Sequence, residues 1–117
     1  MKSLPLIACA LLCAHPALAA ERRVLRIDSL LASRKGGVIL LQAKGAVPTG
    51  GWTRPRLHVM HGDGRTITVE FLATPPPSGM TVIDALVPVT ASVAVKGRAA
   101  SVHVLAEENE VTSQVLH

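Results

Sequence analysis

The side chains best suited to binding a metal are four histidines outside the N-terminal segment: His58, His61, His103 and His117. On a regular strand, His58 and Met60 share a face, whereas His58 and His61, three residues apart, point to opposite sides. A thioether combined with imidazole suits copper, so His58, Met60 and, from an adjacent strand, His103 form an alternative metal site. Solvated histidines that bind nothing explain the same pattern, and we predict no metal and no cofactor.

Signatures of enzyme chemistry are weak in this sequence. It contains neither a Gly-x-Ser-x-Gly elbow nor a Ser-x-x-Lys pair. Its eight carboxylates show no catalytic spacing. The Gly-Gly pairs at 36–37 and 50–51 do not open helices, as a phosphate-binding loop would require. We therefore predict a protein that is not an enzyme.

Residues 47–55 are the most constrained stretch, because they combine two prolines, a Gly-Gly pair and the only tryptophan, Trp52. Proline fixes φ while glycine admits positive φ, so this composition predicts a shaped loop. One interpretation is that Trp52 fills the open end of a core poor in aromatic side chains. The other is that Trp52 contacts a partner together with Thr49, Arg54 and Arg56, since Trp and Arg are enriched at binding hot spots.

The first 19 residues have the three parts of a secretory signal. Lys2 gives a short basic start, residues 4–12 are apolar, and the small residues Ala17 and Ala19 precede the cleavage site. The apolar run is shorter than the roughly 20 residues that a spanning helix needs. We predict cleavage after Ala19, a periplasmic or secreted protein, and no stable membrane insertion of the mature chain.

Both cysteines, Cys9 and Cys13, lie within this leader, so the single mature domain predicted at residues 20–117 contains none. Residues 6–9 resemble a lipoprotein cleavage box, which leaves acylation of Cys9 as an alternative. Without disulfides the domain must be stabilised by packing, which is feasible for one core in a chain of about 98 residues.

The charge of the mature chain argues against nucleic acid. Without Lys2, 11 basic and 8 acidic side chains remain, a net charge of +3. Nucleic-acid-binding domains usually carry a dense basic stripe and aromatic platforms for the bases, whereas this chain has one Phe, one Trp and no Tyr. Three glutamates near the C-terminus, at 107, 108 and 110, indicate a frayed acidic tail.

Alternating apolar and polar residues, with abundant valine and no sustained helical period, predict an all-β chain. A hairpin over residues 55–73 is the clearest element, because Gly62-Asp63-Gly64 suits a tight turn and Ile67, Val69 and Phe71 alternate on one side. The predicted strands are residues 23–28, 38–43, 56–60, 66–71, 81–89, 92–96 and 101–106. About seven short strands are typical of an immunoglobulin-like, antiparallel two-sheet sandwich.

One resemblance rests on Gly45-Ala46-Val47-Pro48-Thr49-Gly50-Gly51-Trp52-Thr53-Arg54-Pro55-Arg56-Leu57, with Pro75-Pro76-Pro77 and His103 downstream. Over roughly residues 37 to 110 the chain resembles small exported bacterial proteins of no assigned function. This resemblance implies export but no activity.

A second resemblance rests on Pro48-Thr49-Gly50, which is similar to part of the Asn-Pro-Thr-Thr-Gly loop of chagasin-type cysteine-protease inhibitors. Val47 stands where that loop has Asn, Gly62-Asp63-Gly64 matches their Gly-x-Gly-Gly loop poorly, and no Arg-Pro-Trp is present. The resemblance implies an immunoglobulin-like fold and protease inhibition.

The sequence therefore predicts a non-enzymatic, exported binding domain that recognises an unknown protein or small molecule through residues 47–55. A chagasin-like protease inhibitor and a periplasmic copper-binding protein are the alternatives.

Overall fold

The computed structural model describes residues 20–116, which form two β-sheets packed face to face without a helix. The strands are β1 (Arg22–Arg23), β2 (Arg26–Lys35), β3 (Val38–Val47), β4 (Thr53–Gly62), β5 (Thr66–Thr74), β6 (Val87–Lys96), β7 (Ser101–Leu105) and β8 (Glu110–Gln114). The predicted two-sheet sandwich is confirmed, with eight strands where we expected about seven. The predicted leader, Cys9 and His117 lie outside the described residues.

Each sheet has a long central strand. In the three-stranded sheet, β3 lies between β2 and β6, and both pairings are antiparallel. In the other sheet, β5 pairs with β4 on one side and with β1 and β7 on the other, and β8 lies outside β7. No helix within residues 20–116 is long and apolar enough to cross a membrane.

One pairing departs from the fully antiparallel arrangement that we predicted. β5 and β7 are parallel, with Thr66 opposite Ser101 and Glu70 opposite Leu105. The reason is that the chain changes sheet between β6 and β7, so β7 starts at the same end of the sandwich as β5. We call this the turn end, since the β2–β3, β4–β5 and β6–β7 connections lie there, and the opposite end the loop end.

Three predicted segments were wrong. The predicted strand 23–28 is divided between β1 and β2, and β2 continues to Lys35. Residues 81–86 are loop rather than strand, and β6 starts at Val87, so that Pro88 occupies the start of an edge strand, where proline is tolerated. The supposed frayed tail contains β8, because Val111 packs against the core.

The core lies between the sheets and has few aromatic side chains. Phe71 is completely buried, together with Ile39, Leu41 and Val69. The inward alternation predicted for the β4–β5 hairpin is confirmed, because Leu57, Ile67, Val69 and Phe71 are all buried. The packed sheets fix the positions of the connections at the two ends.

Candidate functional site

Residues 47–55 are only partly a loop. Val47 ends β3 and is buried, whereas Arg54 and Pro55 belong to β4. Trp52 is half-buried and packs against the core, and its indole N–H donates a hydrogen bond of 3.2 Å to the hydroxyl of Thr49. Two of the four predicted binding residues therefore meet inside the loop.

The loop 48–52 packs against the loop 75–86, and together they form the loop end. The backbone N–H of Gly50 donates a 2.9 Å hydrogen bond to the carbonyl of Ile83. Gly51 has a φ of 88°, and a Cβ there would lie 2.9 Å from Pro76. Glycine is thus required at 51 by both backbone conformation and space. The apolar side chains exposed nearby are on the second loop, with Ile83 75% exposed.

Arg56 lies apart from Trp52, on the outer face of β4 in a charged cleft of about 650 Å³. Its guanidinium donates a 2.6 Å hydrogen bond to Glu21, and this bond lowers the pKa of the Glu21 carboxyl and raises the pKa of Arg56. Arg23 pairs with Glu70 at 2.9 Å in the same cleft. Because these charges compensate one another, the cleft offers little net field to a ligand.

The alternative copper ligands are not brought together by the strand order. His58 pairs in register with Glu70, and His103 pairs with Thr68, so β5 lies between their strands. Two strand spacings separate the two backbones by roughly 10 Å. His103 already contacts Thr112 at 2.7 Å. Within residues 20–116, no group of three His, Cys, Asp or Glu side chains is placed to hold a metal.

Our expectation that His58 and His61 point to opposite sides was wrong. The β4–β5 register shifts between Val59 and His61, so His61 pairs with Thr68 and His58 with Glu70. A β-bulge inserts one extra residue, which resets the alternation of the bulged strand. Both histidines consequently lie on the outer face of the sheet, where they are exposed.

Replacing Trp52 with alanine should lower the free energy of unfolding by about 2 kcal/mol, less than the 3–5 kcal/mol expected for a fully buried ring. The ring is only partly buried at the edge of the core, so less apolar surface is lost, and the bond to Thr49 is lost with the indole. Urea denaturation of Trp52→Ala and Trp52→Phe measures this. An unchanged stability of Trp52→Ala would contradict the packing role.

The turn end contains a different cleft, of about 780 Å³, which the arginines Arg34, Arg65 and Arg98 line together with Thr66, Ser101, Gln114 and Leu116. We call it the arginine cleft. Arg34, near the end of β2, donates hydrogen bonds to the carbonyls of Gly97 at 3.1 Å and Ala99 at 2.6 Å. These bonds fix its guanidinium to the β6–β7 connection.

The β4–β5 turn brings the second arginine to the same place. The carbonyl of Arg65 accepts hydrogen bonds from the backbone N–H groups of Ala100 at 2.8 Å and Ser101 at 3.0 Å. Arg65 and Arg98 are both exposed, and their side chains make no hydrogen bond to any residue that the structure describes. Their donors are therefore available to a ligand.

The turn end carries an excess of positive charge. Lys35 and Lys96 end β2 and β6, and each is in register with Val38, so both lie at the turn end as well. The arginines that pair with carboxylates are instead Arg23, Arg26 and Arg56. Among the described residues, no carboxylate lies within ion-pair distance of the five cations at the turn end.

Asp63 is the nearby acid, and it is engaged with the backbone. Its carboxylate accepts hydrogen bonds from the N–H groups of Thr66 at 2.8 Å and Arg65 at 2.9 Å, and these bonds lower its pKa. The carboxylate thus stabilises the β4–β5 turn, and among the described residues it makes no ion pair with the guanidinium of Arg65.

This contact predicts a pH-dependent stability. A carboxyl whose pKa is lowered by folding stabilises the fold above its unfolded pKa of about 3.9, and this stabilisation is lost as the pH falls through the folded pKa. Asp63→Asn should therefore have a lower melting temperature than the native protein at pH 7, and the two should converge in strong acid. Asp84→Asn, on the exposed 75–86 loop, is the control, and its melting temperature should equal that of the native protein both at pH 7 and in strong acid.

The arginine cleft was not predicted, although a signal was present. Arg34, Lys35, Arg65, Lys96 and Arg98 all lie within two residues of a glycine at a turn. The sequence did not show that three of these turns meet at one end, because that depends on the change of sheet between β6 and β7.

Comparisons with protein-family models, with curated proteins and with solved structures give no match for this chain.

Proposed function

We propose that the chain is an exported, non-enzymatic binding domain whose ligand presents a phosphate, sulfate or carboxylate group to the arginine cleft. The observation that carries this proposal is the convergence of Arg34, Arg65 and Arg98 on one cleft without a carboxylate paired to them in the described chain. The export signal predicted in residues 1–19 supports the location.

The chemistry of arginine favours an anionic ligand. Its planar guanidinium presents several N–H donors in a fork that matches the oxygens of phosphate and carboxylate. Arg34 is held by two carbonyls and acts as a fixed positive charge, while Arg65 and Arg98 can close on the ligand.

The remaining lining of the cleft indicates the rest of the ligand. The hydroxyls of Thr66 and Ser101 lie 2.9 Å apart and can bond to polar groups. Leu116, which is 56% exposed, offers an apolar wall. A volume of about 780 Å³ is within the range of small-molecule sites. An acidic head group joined to a partly apolar body fits this combination.

Calorimetric titration with inorganic pyrophosphate at low salt tests the proposal. The double variant Arg65→Gln/Arg98→Gln should weaken binding at least about tenfold, because two charge-assisted contacts are lost. Lys44→Gln removes one exposed positive charge on β3 towards the loop end and should bind like the native protein. The absence of native binding at millimolar pyrophosphate, or equal weakening by Lys44→Gln, would contradict the proposal.

A second candidate is the predicted protein contact through residues 47–55. The observation in its favour is the exposure of Ile83 (75%), Met80 (53%) and Leu86 (50%) on the adjoining loop. On this second proposal, Trp52 and Thr49 support the loop 75–86, and that loop contacts the partner protein. Ile83→Asp should abolish cross-linking to a periplasmic partner, whereas Met60→Asp on β4 should not.

Protease inhibition of the chagasin type is less well supported by the geometry. Pro48-Thr49-Gly50 lies at the loop end, whereas Gly62-Asp63-Gly64 lies at the turn end, separated by the length of β4. The two segments therefore do not form one continuous edge of the domain. Assays against papain-like proteases at micromolar protein would detect inhibition by the first segment alone.

A further inference from the structure

Apart from the two-residue strand β1, four strands lie at the edges of the sheets, and they differ in how their free edges are protected. β2 is covered by the C-terminal segment: Asn109 accepts a hydrogen bond from Ile27 N at 2.9 Å and donates one to Ile27 O at 3.0 Å. Further along, Leu116 N donates to Ala32 O at 2.9 Å and Arg34 N donates to Leu116 O at 2.7 Å. The edge of β2 is thus satisfied within the chain.

The edges of β4 and β8 are unsuited to pairing for other reasons. β4 contains Pro55, has a positive φ of 54° at Arg54, and shifts its register twice. β8 is only five residues long and begins with the charged Glu110. Proline, bulges, charges and short length are the devices by which proteins prevent edge strands from pairing.

β6 has almost none of these protections. It pairs with β3 over all ten residues, from Val87 to Lys96, without a register shift. Its only proline, Pro88, stands at the second position, and its only charge, Lys96, at the last. No backbone hydrogen bond from the described residues reaches its far edge. A regular, uncharged edge from Val89 to Val95 is therefore open.

We propose that β6 pairs antiparallel with β6 of a second copy of this chain, which joins two three-stranded sheets into one of six strands. The alternation of β6 restricts the register. Val89, Ala91, Val93 and Val95 face the core, whereas Thr90, Ser92 and Ala94 are exposed. Inward residues must oppose inward residues, so one residue must lie directly opposite its own counterpart, with the two-fold axis midway between them. Ser92 lies at the centre of the open stretch and is the residue we assign to this position.

The register centred on Ser92 brings compatible side chains together. Thr90 would oppose Ala94 of the second copy, and Lys96 would oppose Pro88. The two Lys96 ammonium groups would be attached to backbone sites about 26 Å apart, well beyond the screening length in physiological salt. β6 is therefore self-complementary, as a two-fold interface requires.

The outer face beside β6 has the same character. Leu40 and Leu31 are exposed there, and Leu40 is in register with Ala94 and Ser33. The uncharged strip of Leu31, Gln42 and Ser92 therefore borders the proposed junction and would continue into the same three residues of the second copy, while Lys44, opposite Thr90, lies two residues away along β3. A second copy supplies both the matching strand and the matching strip.

Charge substitutions at Ser92 test this interface. The side chain is exposed and points away from the core, so Ser92→Lys and Ser92→Glu should fold, which far-ultraviolet circular dichroism checks. In light scattering after gel filtration, the native protein should have twice the mass of one chain. Each single variant should have the mass of one chain, because like charges meet at the axis.

An equimolar mixture of Ser92→Lys and Ser92→Glu should recover the doubled mass, because opposite charges then meet. Ser29→Lys, on the same face of the covered strand β2, should keep the native mass. A native protein that remains a single chain at millimolar concentration would overturn the proposal. Dimers of either folded single variant, or a mixture that stays monomeric, would also overturn it.

Discussion

Replacing Gly45 with alanine should destabilise the domain by about 3 kcal/mol, the upper end of the usual cost of overpacking, out of the 5–15 kcal/mol that a domain typically has. Gly45 lies in β3 opposite Ile27, where β2 bulges at Asp28. A Cβ on Gly45 would stand 2.1 Å from the carbonyl oxygen of Arg26. The obstacle is backbone, so the two strands themselves would have to separate.

Gly37→Ala is the matched control. Gly37 lies in the β2–β3 turn, and a Cβ there meets no atom within 4 Å. The two variants should differ widely in urea denaturation, with Gly37→Ala close to the native midpoint. Equal midpoints for Gly45→Ala and the native protein would show that the strands do not approach as closely as described.

Phe71→Ala should cost about 3–5 kcal/mol of unfolding free energy. Phe71 is the only phenylalanine, is completely buried, and pairs with Leu57 across the hairpin. Its carbonyl also accepts a 2.9 Å hydrogen bond from Val24, which ties the N-terminal segment to β5. The truncation leaves a cavity between the sheets, and the small side chains of the same core cluster, such as Ala43 and Ala73, cannot fill it.

Phe71→Leu retains most of the volume and should cost less than about 1.5 kcal/mol. Urea denaturation of both variants measures this cost. If the unfolding free energy of each variant depends on urea with the native slope, the cost reflects lost packing, whereas a changed slope indicates a changed unfolded state. A cost for Phe71→Ala below that for Trp52→Ala would reverse our assignment of the main core side chain.

The fold class was predictable because it depends on local alternation. Ile67, Val69 and Phe71 repeat every second residue beside a Gly-Asp-Gly turn, and this pattern determines the β4–β5 hairpin without knowledge of the rest. The apolar run after Gly37 likewise predicts the central strand β3. These elements need only the period of a pleated strand and the conformational freedom of glycine.

The strand order was not predictable for a physical reason. The parallel pairing of β5 with β7 depends on the chain changing sheets between residues 97 and 100, and a glycine turn there is equally compatible with a hairpin. Residues 81–86 alternate like a strand but are held as a loop by contacts such as Gly50 to Ile83. Nonlocal contacts decided both cases.

The candidate site also contains some parts that local sequence predicts and others that only the folded chain reveals. Trp52 and Thr49 could be recognised as neighbours in one loop, but Arg56 pairs with Glu21, which is 35 residues away. The bulge before His61 places this side chain on the outer face of the sheet, whereas regular alternation predicts the opposite face from His58. Arg34, Arg65 and Arg98 come from three separate connections, so only the assembled sandwich reveals the arginine cleft.

The most direct test of the central claim is a titration of ¹⁵N-labelled protein with inorganic pyrophosphate, followed by backbone amide chemical shifts. We predict saturable shifts at Arg65, Thr66 and residues 97–101, with the loop 48–52 unaffected. Shifts that centre on the loop end, or that remain small and unsaturated over the whole surface, would contradict an anion site in the arginine cleft.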